Sequence, residues 1–454
     1  MHAHALADDL RPRRSLWLSR RARWSASGVA ALAVVLLVFG FVYRLSQRPY
    51  GFERFERIGG VALPADSVRA RAFLDGGRAF LGRATGGGSY ELRAVDSDKP
   101  AVAIWTNTSL TDVDTFRSAR GMVQVTGLPD AAGHRRVTLL NANNGVPFAT
   151  FDVDSGDRWE LVGKYFVRYA EATHRLSVTD VGNGKTTAVL DQPGGAASWW
   201  LTDNWSGQQV PTSTAGEPLD EALTVDPNIV RAIPDRGLEV VGLAGGHVLG
   251  AGTGLADPDD LVYPYEDQVF VAPRAAKFAL RAYDRKSLGK ASWTWASPDE
   301  RARPLFVTSC GEQRVCVGED HFLTQLDTAD GRVVFRIAAE RPSQAVPVGD
   351  RIMMRTGSGT DTAETLLDAD GRTVRSWPGK RAARLDEGSY LLLPAVPPSG
   401  AYPWMGVDAE HGTARNLGDV DARPDSCTWS HTYLACATKG EFAFYRIRAP
   451  WYSI

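Results

Sequence analysis

One hairpin signature recurs along this chain at intervals near 40 residues, and that recurrence restricts the fold more than any other feature. An apolar run ends at Asp or Asn, Gly follows a few residues later, and a second apolar run resumes. Residues 323–337, LTQLDTADGRVVFRI, show it most plainly. The anchors are Asp96, Asn141, Asp180, Gly242, Asp284, Asp327, Asp368 and Asp408, with steps of 45, 39, 62, 42, 43, 41 and 40 residues.

Two acids in a tight loop, Asp327 and Asp330, raise the question of calcium. An EF-hand loop needs a Glu at its twelfth position, and counted from Asp327 that position is Ala338. Asp-Gly is also the pair favoured where both central residues of a hairpin turn take positive φ. A ligand site needed once would not recur eight times, so the loops are read as structural turns. Each period holds more than one hairpin. RPLFVTSC, RVCVGED, HFLTQLD and RVVFRI read as four short strands. Four antiparallel strands make one blade of a β-propeller, and blades stack because a single sheet cannot bury both of its faces. Trp105, Trp293, Phe335 and Trp377 lie near the ends of fourth strands, where large rings fill the gap between blades.

The pattern Leu-x-x-Asp-x-x-x-Gly-x-x-x-aromatic, best kept in LDTADGRVVF, resembles the repeat of pyrroloquinoline-quinone-type propellers, with Phe335 in place of the usual Trp. Asn141, Asp180 and Asp408 keep the four-residue step to Gly but lack the aromatic four residues further on. The resemblance covers most of residues 65–449. It implies an all-β propeller. It does not by itself imply a quinone, because many members of that family are binding scaffolds.

Eight anchors and a partial last unit (DSCTWSH, TYLACAT, EFAFYRI) make nine blades if taken literally. Propellers usually have four to eight. Gly242 is the weakest anchor, with no Asp and a 62-residue step before it. The expectation is therefore eight blades over residues 65–454, with 192–255 holding either a degenerate blade or an insertion. Residues 44–64 form a linker and a candidate closing strand, GFERFERIGGVAL, which would complete the last unit and tie the chain ends together.

The first 43 residues bear on location. Residues 24–43 contain no charged side chain and follow six arginines, Arg11, Arg13, Arg14, Arg20, Arg21 and Arg23. Twenty residues at helical rise cross a bilayer core. The basic residues 1–23 would stay cytoplasmic and the domain beyond would lie outside. A cleaved signal peptide would have a shorter apolar core and a small-residue cleavage site. The expectation is an uncleaved, single-pass signal anchor in a bacterial cell membrane.

Cysteine usage agrees with that location. Cys310 and Cys316, and Cys427 and Cys436, fall at matching places in two units, each pair spanning the first hairpin of its unit. An even count outside the cytoplasm points to disulfides. Zinc would want closer cysteines or nearby His pairs. Residues 45–454 carry 44 basic against 51 acidic side chains, a poor balance for binding nucleic acid.

Nothing in the sequence names a chemistry. No GxSxG elbow, HExxH helix, P-loop or dinucleotide fingerprint is present. FDVDSGDRWE, with Asp152, Asp154 and Asp157, reads as solvated loop between blades. A quinoprotein-like oxidoreductase is the alternative that the resemblance brings. Such enzymes often carry adjacent cysteines, which this chain lacks, and no cofactor or metal is assigned. The favoured reading is a binding scaffold for a cell-envelope protein or glycan. Its candidate contact residues are the aromatics of irregular segments: Trp199, Trp200 and Trp205 in ASWWLTDNWSG, Tyr263 and Tyr265 in LVYPYEDQ, and Tyr402 and Trp404 in GAYPW. Reducing both disulfides should lower the melting temperature, each bridge being worth roughly 2–3 kcal/mol for loops this short. Unchanged melting under reductant, with free thiols confirmed by alkylation, would contradict it.

Overall fold

The computed structural model describes residues 51–448 apart from 65–66, 120, 194, 196–197, 203–227, 234–236, 258, 387, 395–401 and 423–425. The described residues contain no α-helix, and no helix among them is long and apolar enough to cross a membrane. The span expected at 24–43 lies outside the described residues.

Among the described residues there are nine four-stranded antiparallel sheets, not eight. After a first strand, β1 (Phe52–Ala62), blade 1 is formed by β2 (Val68–Asp75), β3 (Arg78–Gly86), β4 (Ser89–Asp96) and β5 (Lys99–Thr111). Blade 2 holds β6 (Val113–Ala119) to β9 (Pro147–Val153), and blade 3 holds β10 (Arg158–Val162) to β13 (Lys185–Asp191). Blade 4 runs from β14 (Trp199–Leu201) to β17 (Val248–Gly252) and blade 5 from β18 (Leu261–Tyr265) to β21 (Ser287–Ala296). Blade 6 runs from β22 (Pro304–Ser309) to β25 (Val333–Ala338), and blade 7 from β26 (Pro342–Val348) to β29 (Thr373–Pro378). Blade 8 runs from β30 (Lys380–Asp386) to β33 (Thr413–Val420).

Blade 9 takes three strands from the end of the chain, β34 (Cys427–Trp429), β35 (Tyr433–Ala437) and β36 (Glu441–Arg448). Its fourth, outermost strand is β1 (Phe52–Ala62), antiparallel to β36 with Val61 opposite Phe442. The expected closure by the GFERFERIGGVAL segment is therefore present. Chain ends far apart in sequence share one sheet, so opening the ring would break a ladder of backbone hydrogen bonds.

The expectation of eight blades failed at Gly242. That anchor heads a five-residue hairpin turn like those at Asn141, Asp180 and Asp327: Gly246 N–H donates to Gly242 O at 2.9 Å and Gly242 N–H to His247 O at 3.0 Å. The 62-residue step reflects a blade whose first strand, β14, is three residues long and is separated by residues 202–227 from its partner β15 (Asn228–Ile233). The 192–255 region thus holds a blade, β14 to β17, rather than an insertion.

Strand burial follows position in the blade. Second and third strands are buried on both faces, as in β23 (Arg314–Glu319) and β24 (Phe322–Asp327). Outer strands such as β9 alternate more clearly. Two buried faces per sheet require a partner on each side. Nine apolar clusters meet that need, one at each of the nine blade interfaces, including the interface of blade 9 with blade 1 around Leu74, Leu81, Tyr433 and Phe444. First strands neighbour one another about the axis, β14 with β18, β18 with β22, and β22 with β26.

The recurrent turn has a specific job in that stacking. Trp105 Nε1 donates to Ala142 O of the next blade at 2.9 Å, and Trp293 Nε1 to Thr328 O at 2.7 Å. In each case the turn glycine, Gly145 or Gly331, lies under the indole, and a Cβ there would come within 2.5 Å of the ring. Gly371 stands in the same relation to Phe335. Trp377 packs in the cluster between blades 7 and 8. The turn type differs from the expectation. Only Gly331 takes a positive φ, +72°, while Asp330 does not. Asp327 instead accepts Ala329 N–H at 3.0 Å through its carboxylate, Gly331 N–H reaches Asp327 O at 2.9 Å, and the ladder slips by one residue after Gln325. This is a bulged turn that needs one left-handed residue, not two.

Gly331→Val should therefore cost about 3 kcal/mol, combining left-handed strain with collision against Trp293. Asp330→Asn should stay within about 0.5 kcal/mol, since its carboxylate only accepts Arg332 N–H. Denaturant melts of the two variants check this, and equal losses would refute the role given to the glycine.

Candidate functional site

The aromatic residues expected at a contact surface are divided by the fold. Trp199 is fully buried at the interface of blades 3 and 4. The Arg158 guanidinium lies 4.0 Å over its ring and donates to its carbonyl at 2.8 Å. Trp200 is half-buried against the cluster between blades 4 and 5. Tyr265 is buried and donates from its hydroxyl to Gly311 O at 3.1 Å. Tyr263 stacks beside it, ring centroids 6.1 Å apart, and its hydroxyl accepts Ser309 N–H at 2.9 Å. Trp404 is fully buried between Phe55 and Trp429, both edge-on to it. Trp199, Tyr265 and Trp404 are therefore core rather than contact residues, because large rings fill the wedge between adjacent blades. Tyr402 begins β32 (Tyr402–Asp408), opposite Val420. Trp205 lies outside the described residues.

The four cysteines form two bridges. Cys310 joins Cys316 across the first hairpin of blade 6, with Cα atoms 5.7 Å apart. Cys427 joins Cys436, directly opposite it on β35, with Cα atoms 4.0 Å apart. The second bridge lies in the blade that β1 closes.

Two buried acids are the strongest titratable candidates for chemistry, and both serve the scaffold. Glu319 is fully buried and pairs with Arg336 at 3.1 Å. Glu364 accepts Arg355 Nε at 2.5 Å and Ala382 N–H at 2.8 Å. Burial pushes the Glu364 carboxyl above its ordinary range, with Arg355 opposing the shift. Among the described residues no group of three or more His, Cys, Asp or Glu could hold a metal ion.

The exposed surface that sequence reading missed is on the outer rim. On β5, Val102 and Ile104 are 67% and 47% exposed. Asn107 donates its side-chain amide to Gly145 O at 2.8 Å, which holds the turn carrying Val146 against β5. Val146 and Phe148 are 55% and 45% exposed. No charge occurs from Pro100 to Asn107 or from Val146 to Phe151; among the other outer strands β17 (VLGAG) is also uncharged, with Val248 and Leu249 exposed, while the rest carry charges such as Lys290, Arg375, Arg415 or the Glu53–Arg57 run. The signal was the uncharged stretch PAVAI on a fourth strand, where charge normally guards an open edge.

The sequence matches no protein-family model and no curated protein. Among solved structures, the chain is similar to the crystal structure of the eukaryotic initiation factor, at 10% identity and TM-score 0.52, over 86% of this chain and 92% of that one. BamB from Moraxella catarrhalis aligns at 10% identity and TM-score 0.41, over 87% and 98%. The C-terminal WD40 domain of Sif2 aligns at 9% identity and TM-score 0.44, over 88% and 100%. Likeness at such identity shows the fold alone. The chain is a β-propeller, with nine blades among its described residues.

Trp404→Ala should lower stability by about 3–5 kcal/mol, as deletion of a buried ring does. Thermal melts read this directly, and a loss below about 1 kcal/mol would return Trp404 to the list of surface candidates.

Proposed function

We propose that this propeller is an extracytoplasmic binding scaffold that holds an extended segment of a partner protein along the outer edge of blade 1. The observation that carries the reading is the uncharged, exposed edge of β5 with Val102 and Ile104, continued by Val146 and Phe148. An open strand edge offers backbone N–H and C=O groups in register, and alternate apolar side chains beside it give selectivity. A glycan would instead call for exposed rings to stack on, and Trp199 and Trp404 are buried. A protein of the cell envelope is the partner this surface suits. Both disulfides and the arginine-led apolar run at 24–43 support an extracytoplasmic place. The aromatic-on-glycine docking between blades supports grouping the repeat with non-enzymatic pyrroloquinoline-quinone-type repeats.

The double variant Val102→Lys/Ile104→Lys should abolish partner capture by a photocrosslinker placed at Ala103. Its stability should stay within about 0.5 kcal/mol per site, both side chains being exposed. Crosslinking of native membranes that yields the same protein adduct with and without the lysines, or yields only glycan, would overturn the reading.

A further inference from the structure

We propose that the inner face between blades 1 and 2 is an oxyanion-binding site built from Arg71, Arg69 and the Tyr90 hydroxyl. The sheet register supplies the geometry. Arg71 on β2 stands directly opposite Gly82 on β3, and Gly82 opposite Leu92 on β4, while Tyr90 lies opposite Ala84. Directly paired residues project on the same face, so Arg71 and Tyr90 share the face toward blade 2, where Tyr90 meets Phe116 with ring centroids 6.4 Å apart.

Gly82 lets the phenol cross the sheet. A Cβ at Gly82 would sit 2.4 Å from the Tyr90 hydroxyl and 2.3 Å from Phe116 Cε1. The ring therefore passes over β3 and delivers its hydroxyl to the first strand, beside Arg71. Tyr90 is 2% exposed, and its hydroxyl is buried with no hydrogen-bond partner among the described residues. A buried hydroxyl without a partner is costly, and native proteins rarely leave one so. Burial holds the phenol above its ordinary range, opposed by the charges of Arg71 and Arg69. It stays protonated and can donate.

The cations are equally uncommitted. Among the described residues neither Arg69 nor Arg71 has an ion-pair or hydrogen-bond partner, in contrast to Arg83 and Arg93, which share Glu91. The nearby acids are placed elsewhere: Asp75 accepts from Ser118, Asp114 pairs with Arg135, and Asp112 lies beyond the hairpin against Gly88. Arg69 also takes a left-handed backbone, φ +52°, at the bulge that starts β2. Two guanidinium groups whose charges act on one buried O–H donor, Arg71 half-buried and Arg69 exposed, match a carboxylate or phosphate group, which accepts charge-assisted hydrogen bonds from both kinds of donor. This site is on the inner strand of blade 1 and is independent of the outer edge proposed above for a partner segment.

Titration calorimetry of the full chain with sodium phosphate, with sodium glutarate, and with sodium chloride at equal ionic strength tests the site and separates the two anion chemistries. Phosphate or glutarate should bind while chloride gives no saturable heat. Arg71→Gln and Tyr90→Phe should each weaken that binding about tenfold or more, the scale of a lost hydrogen bond to a charged group. Arg375→Gln, on an outer strand, should leave it unchanged. Tyr90→Phe keeps the ring and removes only the oxygen, so folding is preserved and melting curves should show it. Absence of binding by both anions, or binding that Tyr90→Phe leaves unchanged, would overturn the proposal.

Discussion

Every sheet in this molecule has two apolar faces, and the rest of the structure follows from the need to cover both. One blade cannot do so alone, and an open row of blades would leave a face bare at each end. Closing the row into a ring removes both ends at once. The nine apolar clusters, one at each blade interface, are the direct expression of that constraint. The closing joint is the most demanding, because β1 must travel to β36 and pair over its length. Arg57 with Glu441 at 2.6 Å and Arg446 with Glu56 at 2.9 Å flank that pairing on the exposed side. Such exposed pairs add little energy, and the buried Phe52 between blades 8 and 9, with the partly buried Val61 between blades 9 and 1, carries the joint.

The same constraint sorts the aromatic residues. Rings are the largest apolar groups available to fill the widening gap between two twisted sheets. Trp199, Tyr265 and Trp404 go there, although their local sequences look like irregular loop. Trp105 and Trp293 go there too, and their N–H groups reach the next blade's turn. The recurring geometry of the turn then becomes intelligible: the glycine keeps a side chain out of the ring's place, and Asp closes the loop through its carboxylate. The acids of these turns are committed to backbone N–H groups, which leaves them little capacity for a ligand.

The two proposed contact sites, by contrast, lie where the ring leaves chemistry unspent. On the outer rim that is the uncharged edge of β5. On the inner side it is a pair of arginines and a phenol that have no partners among the described residues. Neither belongs to the repeat. Gly82 admits the Tyr90 hydroxyl to the inner strand and is not one of the turn glycines of the hairpin pattern, and the charge-free run PAVAI lies on a strand position that carries charge in most other blades. In a repeat protein, departures from the repeat are the natural place for what the scaffold does once.

The amino-acid sequence by itself determined the blade. Local signals suffice for it, since turn glycines, Asp caps and apolar runs act within a few residues of one another, and β22 to β29 fall where those signals place them. The use of Phe52–Ala62 to complete the last sheet was legible for the same reason: three strands at one end of the chain and one at the other leave a single solution. The number of blades was decided only by tertiary structure. Gly242 lacks the Asp of its fellows, and β14 gains its place as a strand from pairing with β15 across a 26-residue gap, an interaction no local pattern encodes. The fate of each aromatic side chain was likewise decided by packing. Whether Trp404 faces solvent or packs against Phe55 and Trp429 depends on the next blade and on Phe55, 349 positions earlier, which only ring closure brings beside it.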